Sequence, residues 1–223
     1  MGPVYGHVIF DLDGTLIDSL ADITAAVNHV RGRLGLTPLA RDRVRSYIGE
    51  GARVLIERAL GADNRGAWED GLRCYLDYYA DHCLEETHAY PGIDGALHTL
   101  AARRIVLSVL TNKPEVISRN ILTGLGILTR FTAVLGGDSL RAPKPDAAGV
   151  ERLCRAAGTP PERVLLVGDS LVDARTAAAA RVSFCGVAWG FASAALSAAG
   201  VGPIAATPAE LVTLILGPVT SDE

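Results

Sequence analysis

Two aspartates separated by one residue follow a short apolar run near the start of the chain. The run Val8-Ile9-Phe10 leads directly into Asp11-Leu12-Asp13-Gly14-Thr15. Side chains two apart on an extended backbone start on the same face, although the turn at Gly14 can change their orientation. An ionised Asp11 could attack phosphorus, and Asp13 could protonate the leaving oxygen and later deprotonate water. Taken alone, such a pair is more typical of a solvated turn.

Polar residues also follow two other apolar runs. Thr111 and Asn112 come after Ile105–Leu110, and Gly168-Asp169-Ser170-Leu171-Val172-Asp173 continues the run 164–167. Polar groups at the carboxyl ends of parallel strands converge on one crevice, so Asp169 and Asp173 should join Asp11 and Asp13 there. Clustered carboxylates repel one another, and Mg²⁺, a hard cation with oxygen ligands, resolves that repulsion. We predict that Gly14, Thr111 and Asn112 contact a bound phosphate; Thr111 and Asn112 could instead cap the following helix.

Lys144 is the predicted cation of this crevice. The chain has 19 Arg but only two Lys, Lys113 and Lys144, which suggests that a Lys stands where an ammonium does something a guanidinium cannot. In Ala142-Pro143-Lys144-Pro145-Asp146 the two prolines make the segment rigid. A rigidly presented Lys144 could neutralise both a nucleophilic carboxylate and a transferring phosphoryl group.

The elements that would position these residues alternate between strand and helix. Strands without polar alternation are typical of a parallel sheet covered on both faces, and they are predicted at Val8–Phe10, Ile105–Leu110, Thr132–Leu135, Val164–Val167 and Phe184–Ala188. Apolar residues at helical spacing predict helices at Ile93–Arg103, Pro114–Leu125, Ala147–Ala157 and Asp173–Ala180. This order predicts an α/β fold, a Rossmann-like doubly wound parallel sheet.

One region interrupts the alternation. Residues 17–89 contain no strand-like run, and they predict helices at Leu20–Leu34, Ala40–Ile48, Arg53–Leu60 and Gly66–Cys83. We interpret residues 17–89 as an inserted all-helical cap domain, with residues 1–16 and 90–223 forming the core. The tail 217–223 is predicted to be frayed.

Composition excludes several classes of partner. The net charge is −4 and no basic block occurs, which argues against nucleic acid and against electrostatic docking to a membrane. The first apolar run is too short for a signal peptide or a membrane span, so we expect a cytoplasmic protein. Four cysteines lack zinc-ligand spacing and are interpreted as free thiols.

The motifs together resemble the haloacid dehalogenase (HAD) superfamily. The resemblance rests on Asp11-Leu12-Asp13-Gly14-Thr15, Thr111, Lys144-Pro145 and Gly168-Asp169-Ser170-x-x-Asp173, and the helical insertion resembles that superfamily's type C1 cap. It implies catalysis through an aspartyl-phosphate, with Asp11 as nucleophile and metal ligand. It further implies Asp13 as acid/base with its carbonyl on Mg²⁺, Asp169 as metal ligand and Asp173 as support for the metal shell.

Within the superfamily, Asp13 fits the phosphatases and phosphomutases rather than the dehalogenase branch. Asp18-Ser19 and the segments at 47–52 and 54–60 further resemble a phosphoglycolate phosphatase-like subgroup. The expected activity is therefore Mg²⁺-dependent hydrolysis of a small phosphomonoester, with phosphoglycolate as the first candidate. The family's Lys-Pro-x-Pro pattern departs here to Lys144-Pro145-Asp146-Ala147, which should alter rigidity rather than chemistry.

The cap loop Gly49-Glu50-Gly51 is predicted to touch the leaving group, because glycines permit close backbone approach. Arg53 and Arg45 are the nearest cations that could bind a substrate carboxylate, although a solvated helix face is the preferred interpretation of each. The expected partner is a small phosphorylated metabolite, and the chain could be a monomer or a homodimer.

Two alternatives stay open at the level of sequence. A phosphosugar mutase would use the same two aspartates and would differ in how water is kept from the phospho-enzyme. A non-catalytic regulatory module that binds phosphate compounds would have no need of Asp13.

Overall fold

The strands predicted from the sequence form a parallel sheet. The structure, a computed structural model, describes residues 4–217. Its strands are β1 (His7–Phe10), β2 (Ile17–Asp18), β3 (His88–Ala89), β4 (Val106–Leu110), β5 (Ala133–Leu135), β6 (Val164–Gly168), β7 (Ser183–Val187) and β8 (Ile204–Ala205). Six of them pair in parallel in the order β5-β4-β1-β6-β7-β8. The predicted Rossmann-like fold is confirmed.

The eight predicted helices are all present, and the structure adds two more near the end of the described chain. They are α1 (Leu20–Arg33), α2 (Arg41–Arg45), α3 (Ala52–Leu60), α4 (Trp68–His82), α5 (Ile93–Ala102), α6 (Glu115–Gly124), α7 (Ala148–Ala157), α8 (Leu171–Ala180), α9 (Ser193–Ala199) and α10 (Pro208–Leu216). Helix α2 is shorter than the predicted 40–48, and a 3-10 helix at Ala62–Ala67 precedes α4. Helices α9 and α10 and strand β8 were not predicted, nor were β2 and β3, which lie at the two ends of the region 17–89 that was expected to contain no strand.

Helices α1 to α4 form a separate layer inserted after β1. The chain leaves the core through β2 and returns through β3, and these two short strands pair antiparallel, with Ile17 opposite Ala89. Asp22, in the first turn of α1, is buried and accepts hydrogen bonds from the backbone of Glu86 and Thr87 and from the Thr87 hydroxyl. The outgoing and returning segments are therefore joined to each other.

The sheet is covered on both faces. Val8 and Phe10 of β1 pack into one buried layer, and Ile9 packs into the other. At the amino end of β1, His7 is fully buried with Nε2 3.0 Å from the Ser108 hydroxyl, and burial lowers the pKa of His7 to about 4. No described helix is both long and apolar enough to cross a membrane. The predicted fraying beyond residue 217 lies outside the described residues.

Candidate active site

Three adjacent strands deliver polar residues to one edge of the sheet. Strand β1 is flanked by β4 and β6, and Asp11, Thr111 and Asp169 follow these strands directly. The ladder continues into them, since the Asp11 amide donates to Val167 and the Thr111 amide donates to Leu135. The carboxyl ends of parallel strands thus meet where the sequence predicts.

Asp11, Asp169 and Asp173 form a buried carboxylate cluster. One carboxylate oxygen from each lies within 4.8 Å of the others. The Lys144 ammonium bridges two members, at 2.8 Å from Asp11 Oδ1 and 2.5 Å from Asp173 Oδ1. The second oxygen of Asp173 accepts from the Ser170 hydroxyl at 2.6 Å, within a capping box that begins α8. Asp173 therefore has a structural role beside its place in the cluster.

The electrostatics of the cluster favour a bound cation. Burial raises the pKa of Asp11 to about 7, against the opposing effect of Lys144. Burial also raises the pKa of Asp169 to about 8, and the carboxylates of Asp173 and Asp11 add to it. Burial alone would lower the pKa of Lys144, but Asp11 and Asp173 raise it above its ordinary value. One ammonium does not balance three buried carboxylates, and an all-oxygen donor set suits a hard divalent cation.

Asp13 lines the same pocket as Asp11 and contacts the other lysine. Lys113 Nζ lies 2.7 and 2.8 Å from the two oxygens of Asp13, and the Ser19 hydroxyl donates to the same carboxylate at 2.5 Å. The ring of Tyr79, on α4, covers the Lys113 ammonium at 4.7 Å. Sequence reasoning missed Lys113 as a site residue, although the scarcity of lysine was a usable signal. It also gave no role to Ser19 or Tyr79.

The residues predicted to contact phosphate differ in their position and contacts in the structure. Gly14 has φ +81°, and a Cβ there would collide with Asp169, so the turn requires glycine. Thr111 lines the pocket and accepts from the Lys113 amide at 3.2 Å. The Asn112 amide nitrogen donates to the carbonyls of Gly49 and Lys144 instead. In this arrangement Asn112 joins two loops, and its role as a phosphate ligand stays a prediction.

The cap loop meets the pocket through its glycines. Gly49 and Gly51 line the same pocket as Asp11 and Asp13. The Glu50 carboxylate pairs with Arg58 at 2.6 Å, and Arg53 pairs with Glu69 on the exposed cap surface. The structure does not bring the Glu50 or Arg53 side chain into the pocket. Arg45 is also exposed, with Asp42 3.6 Å away.

A loop after β7 supports the Asp169 side of the carboxylate cluster, and no sequence pattern indicated it. The Ala192 amide donates to Asp169 Oδ2 at 3.0 Å, and Trp189 Nε1 donates to the Thr15 carbonyl at 3.0 Å. A Cβ on Gly190 would overlap Asp169 and the Gly14 carbonyl oxygen. The loop Trp189–Ala192 therefore fixes both Asp169 and the turn that follows Asp11.

This combination of fold and strand-end carboxylates is that of one enzyme family. The family described as haloacid dehalogenase-like hydrolase matches residues 8–187, and the chain belongs to it. The sequence of this chain is 37% identical over 193 residues to a phosphoglycolate phosphatase of Chromobacterium violaceum, and the match covers 84% of this chain and 86% of that protein. A phosphoglycolate phosphatase of Cereibacter sphaeroides is 42% identical over 183 residues, with 79% and 82% covered.

A comparison with solved structures also supports membership of this family. A crystal structure named as that of a predicted phosphoglycolate phosphatase from Haemophilus somnus superposes with a TM-score of 0.89 at 30% identity, covering 94% of this chain and 97% of that one. The predicted membership of the HAD superfamily is thereby confirmed.

Proposed function

We propose that this protein is a Mg²⁺-dependent phosphatase that hydrolyses a small phosphomonoester through an aspartyl-phosphate, with phosphoglycolate as the first candidate substrate. The observation that carries the proposal is the contact of Lys144 with both Asp11 and Asp173 inside the buried carboxylate cluster. The relatives named phosphoglycolate phosphatase support the choice of substrate.

In the first step, a carboxylate oxygen of Asp11 attacks phosphorus and the ester P–O bond breaks. Lys144 neutralises the nucleophile and the transferring phosphoryl oxygens. The leaving oxygen takes a proton from Asp13, which yields the alcohol product and a phosphorylated Asp11.

In the second step, water attacks phosphorus and gives its proton to Asp13. The P–O bond to Asp11 breaks and inorganic phosphate leaves, so both aspartates return to their starting states. Asp11 and Asp169, with Asp173 beside them and the Asp13 carbonyl as the family pattern implies, would hold Mg²⁺. A bound Mg²⁺ supplies positive charge for the phosphoryl oxygens and for the clustered carboxylates.

Residues 17–89 act in this proposal as a cap over a core formed by residues 1–16 and 90–223. The glycines of the 49–51 loop approach the pocket from the cap side. Closure of the cap would exclude bulk water during phosphoryl transfer.

The test is phosphate release from a panel of phosphorylated metabolites with Mg²⁺, comparing Asp11→Asn with the parent protein. We expect kcat to fall at least about 1,000-fold, because a carboxamide is no nucleophile. Asp81→Asn changes an exposed carboxylate of the cap surface and serves as the matched control. Undiminished activity of Asp11→Asn would contradict the covalent mechanism.

Two readouts separate the alternatives. With an aryl phosphate, whose leaving group needs no proton from Asp13, acid-quenched Asp13→Ala protein should carry a phosphoryl group on Asp11, detected by intact mass, because hydrolysis of the intermediate lacks its base. Product analysis by ³¹P NMR should show inorganic phosphate; an isomerised sugar phosphate would indicate a mutase. A complete lack of turnover across the panel would favour the regulatory module.

A further inference from the structure

The pocket beside the two catalytic aspartates is mostly apolar on its other walls. Ile23, Leu55, Tyr75 and Tyr79 contribute to it from the cap. Among the described residues that line this pocket, Lys113 supplies the cationic side chain. A leaving group that carries negative charge would therefore meet that ammonium.

The two lysines of the chain have different numbers of carboxylate partners. Lys144 contacts two carboxylates, those of Asp11 and Asp173. Lys113 contacts one, that of Asp13, and its side chain is only 4% exposed. An ammonium has three N–H donors, so two short contacts with Asp13 leave Lys113 able to bind a further acceptor. Lys144 shows that this fold accommodates an ammonium between two carboxylates.

The surroundings of Lys113 strengthen its interaction with an anion. The Tyr79 ring covers the ammonium, and burial removes most competing water. The cap cations expected from the sequence to bind a substrate carboxylate do not line this pocket. Arg53 and Arg45 lie on the exposed surface, where their nearest carboxylates are Glu69 and Asp42.

We propose that Lys113 is a specificity-determining residue, which binds a carboxylate on the leaving group of the substrate. This inference rests on the proposed phosphatase function. Lys113 Nζ lies 2.7 Å from Asp13, the proposed acid for the ester oxygen, so a carboxylate bound to Lys113 would lie near that oxygen. The preferred substrates are therefore phosphate esters of short hydroxy acids, with the carboxylate within a few bonds of the ester oxygen.

The test compares two substrates of nearly the same shape, phosphoglycolate and its carboxamide analogue, in the parent protein and in Lys113→Met. The parent protein should prefer phosphoglycolate in kcat/KM. Lys113→Met should lower kcat/KM for phosphoglycolate about 100-fold more than for the carboxamide, because only the former loses a charged partner. Lys113→Arg should keep the preference in part, since it keeps the charge.

The ratio of the kcat/KM values for the two substrates separates recognition of the substrate carboxylate by Lys113 from the contact of Lys113 with Asp13. A role of Lys113 confined to holding Asp13 would lower kcat/KM equally for both substrates, and that result would overturn the inference. A parent protein that hydrolyses both esters equally well would also overturn it, while leaving the phosphatase function intact. Arg73→Met, which removes an exposed cation of α4, is the matched control and should leave the ratio unchanged.

A binding measurement keeps this inference distinguishable from the proposed function. Calorimetric titration of phosphoglycolate and of the carboxamide into Asp11→Asn protein with Mg²⁺ requires no turnover. Tighter binding of phosphoglycolate that disappears when Lys113→Met is added would support the role of Lys113, even if no ester were hydrolysed. Equal affinities for the two ligands would contradict it. Circular dichroism of each variant checks that it is folded.

Discussion

At the scale of single residues, the two lysines of the chain supply positive charge beside the carboxylates of the site. Each of the two lysines of the chain is buried against a carboxylate of the site, whereas the 19 arginines are used elsewhere. An ammonium is a compact charge, and Lys144 fits between Asp11 and Asp173 at hydrogen-bonding distance from both. A planar guanidinium is larger and presents its donors as a fixed fork. The choice of lysine therefore follows from the narrow space between the carboxylates.

Gly190 offers a test of how Asp169 is positioned. Gly190→Ala would place a methyl group into Asp169 and the Gly14 carbonyl, so the Asp169 carboxylate must move. We expect the Mg²⁺ concentration for half-maximal activity to rise about 10- to 100-fold, the usual cost of disturbing a group that orients a metal ligand. Phosphate release measured against Mg²⁺ concentration provides the readout.

Gly95 provides the control for that substitution. It lies in α5, and a Cβ there would meet nothing within 4 Å. Gly95→Ala should leave the Mg²⁺ dependence unchanged. An unchanged Mg²⁺ dependence in Gly190→Ala as well would contradict the positioning role of the loop.

Part of the site could be predicted because strand ends determine it. Asp11 and Asp169 follow adjacent parallel strands, so their proximity needs only the order of the sheet. The pairing of Asp13 with Lys113 could not be predicted, because the Gly14 turn sets the direction of Asp13. The pairing of Arg53 with Glu69 depends on how two cap helices pack, which local sequence does not encode.

At the scale of elements, the two connections between core and cap depend on one buried carboxylate. Asp22 is 3% exposed and accepts from the amides of Glu86 and Thr87 and from the Thr87 hydroxyl at 2.7 Å. Strands β2 and β3 form only two residue pairs, so they add few backbone hydrogen bonds. Asp22 is thus the main polar contact that joins α1 to the returning segment.

Asp22→Ala should weaken this connection. It leaves buried donors without an acceptor, and we expect the free energy of unfolding to fall by about 3 kcal/mol. Urea denaturation followed by tryptophan fluorescence measures that loss, and limited proteolysis should show faster cleavage near residues 84–88. Asp77→Ala removes an exposed carboxylate of α4 and should change neither quantity appreciably. Equal stability of the two variants would show that Asp22 is dispensable for the connection.

Most of the elements that escaped prediction are too short or too uniform in composition to show a pattern, whereas α10 carries the usable signals of a Thr207 cap and Pro208 in its first turn. Strands β2, β3 and β8 are two residues long, too short for any periodicity, and they exist because tertiary pairing brings them together. Helix α9 is rich in alanine and serine and carries a single buried leucine, Leu196. The five longer strands and the first eight helices show enough buried periodicity to be predicted, with errors mainly at their ends.

At the scale of the whole molecule, the buried carboxylates should link stability to pH and to the proposed binding of Mg²⁺. In the unfolded chain Asp11 and Asp169 titrate near 3.8, whereas in the fold their pKa values are about 7 and about 8. Between these limits the folded protein holds protons that the unfolded chain has lost. Stability from these groups is therefore present at low pH and is lost as pH rises from about 4 to about 8.

The lowered pKa of His7 changes stability with pH in the opposite direction over part of that range. Its folded pKa of about 4 lies below the ordinary 6.5, so its contribution to stability is present above about 6.5 and is lost as pH falls towards 4. His7 lies at the amino end of β1, away from the carboxylate cluster at the other end. The difference in stability with and without Mg²⁺ at one pH cancels the His7 contribution.

Mg²⁺ should consequently raise the melting temperature more at high pH than at low pH. The cation binds ionised carboxylates and competes with protons for them. With Mg²⁺ at about 100 times its dissociation constant, we expect a rise of roughly 5–10 °C near pH 8 relative to EDTA, and little change near pH 5. Differential scanning calorimetry provides the measurement. Asp169→Asn, which removes one carboxylate of the cluster, should abolish most of the response at the higher pH. A rise in melting temperature of the same size at both pH values would show that Mg²⁺ binds elsewhere, because protonation of this buried cluster would then have no effect on binding. A rise that persists in Asp169→Asn would lead to the same conclusion, because the variant lacks one carboxylate of the cluster.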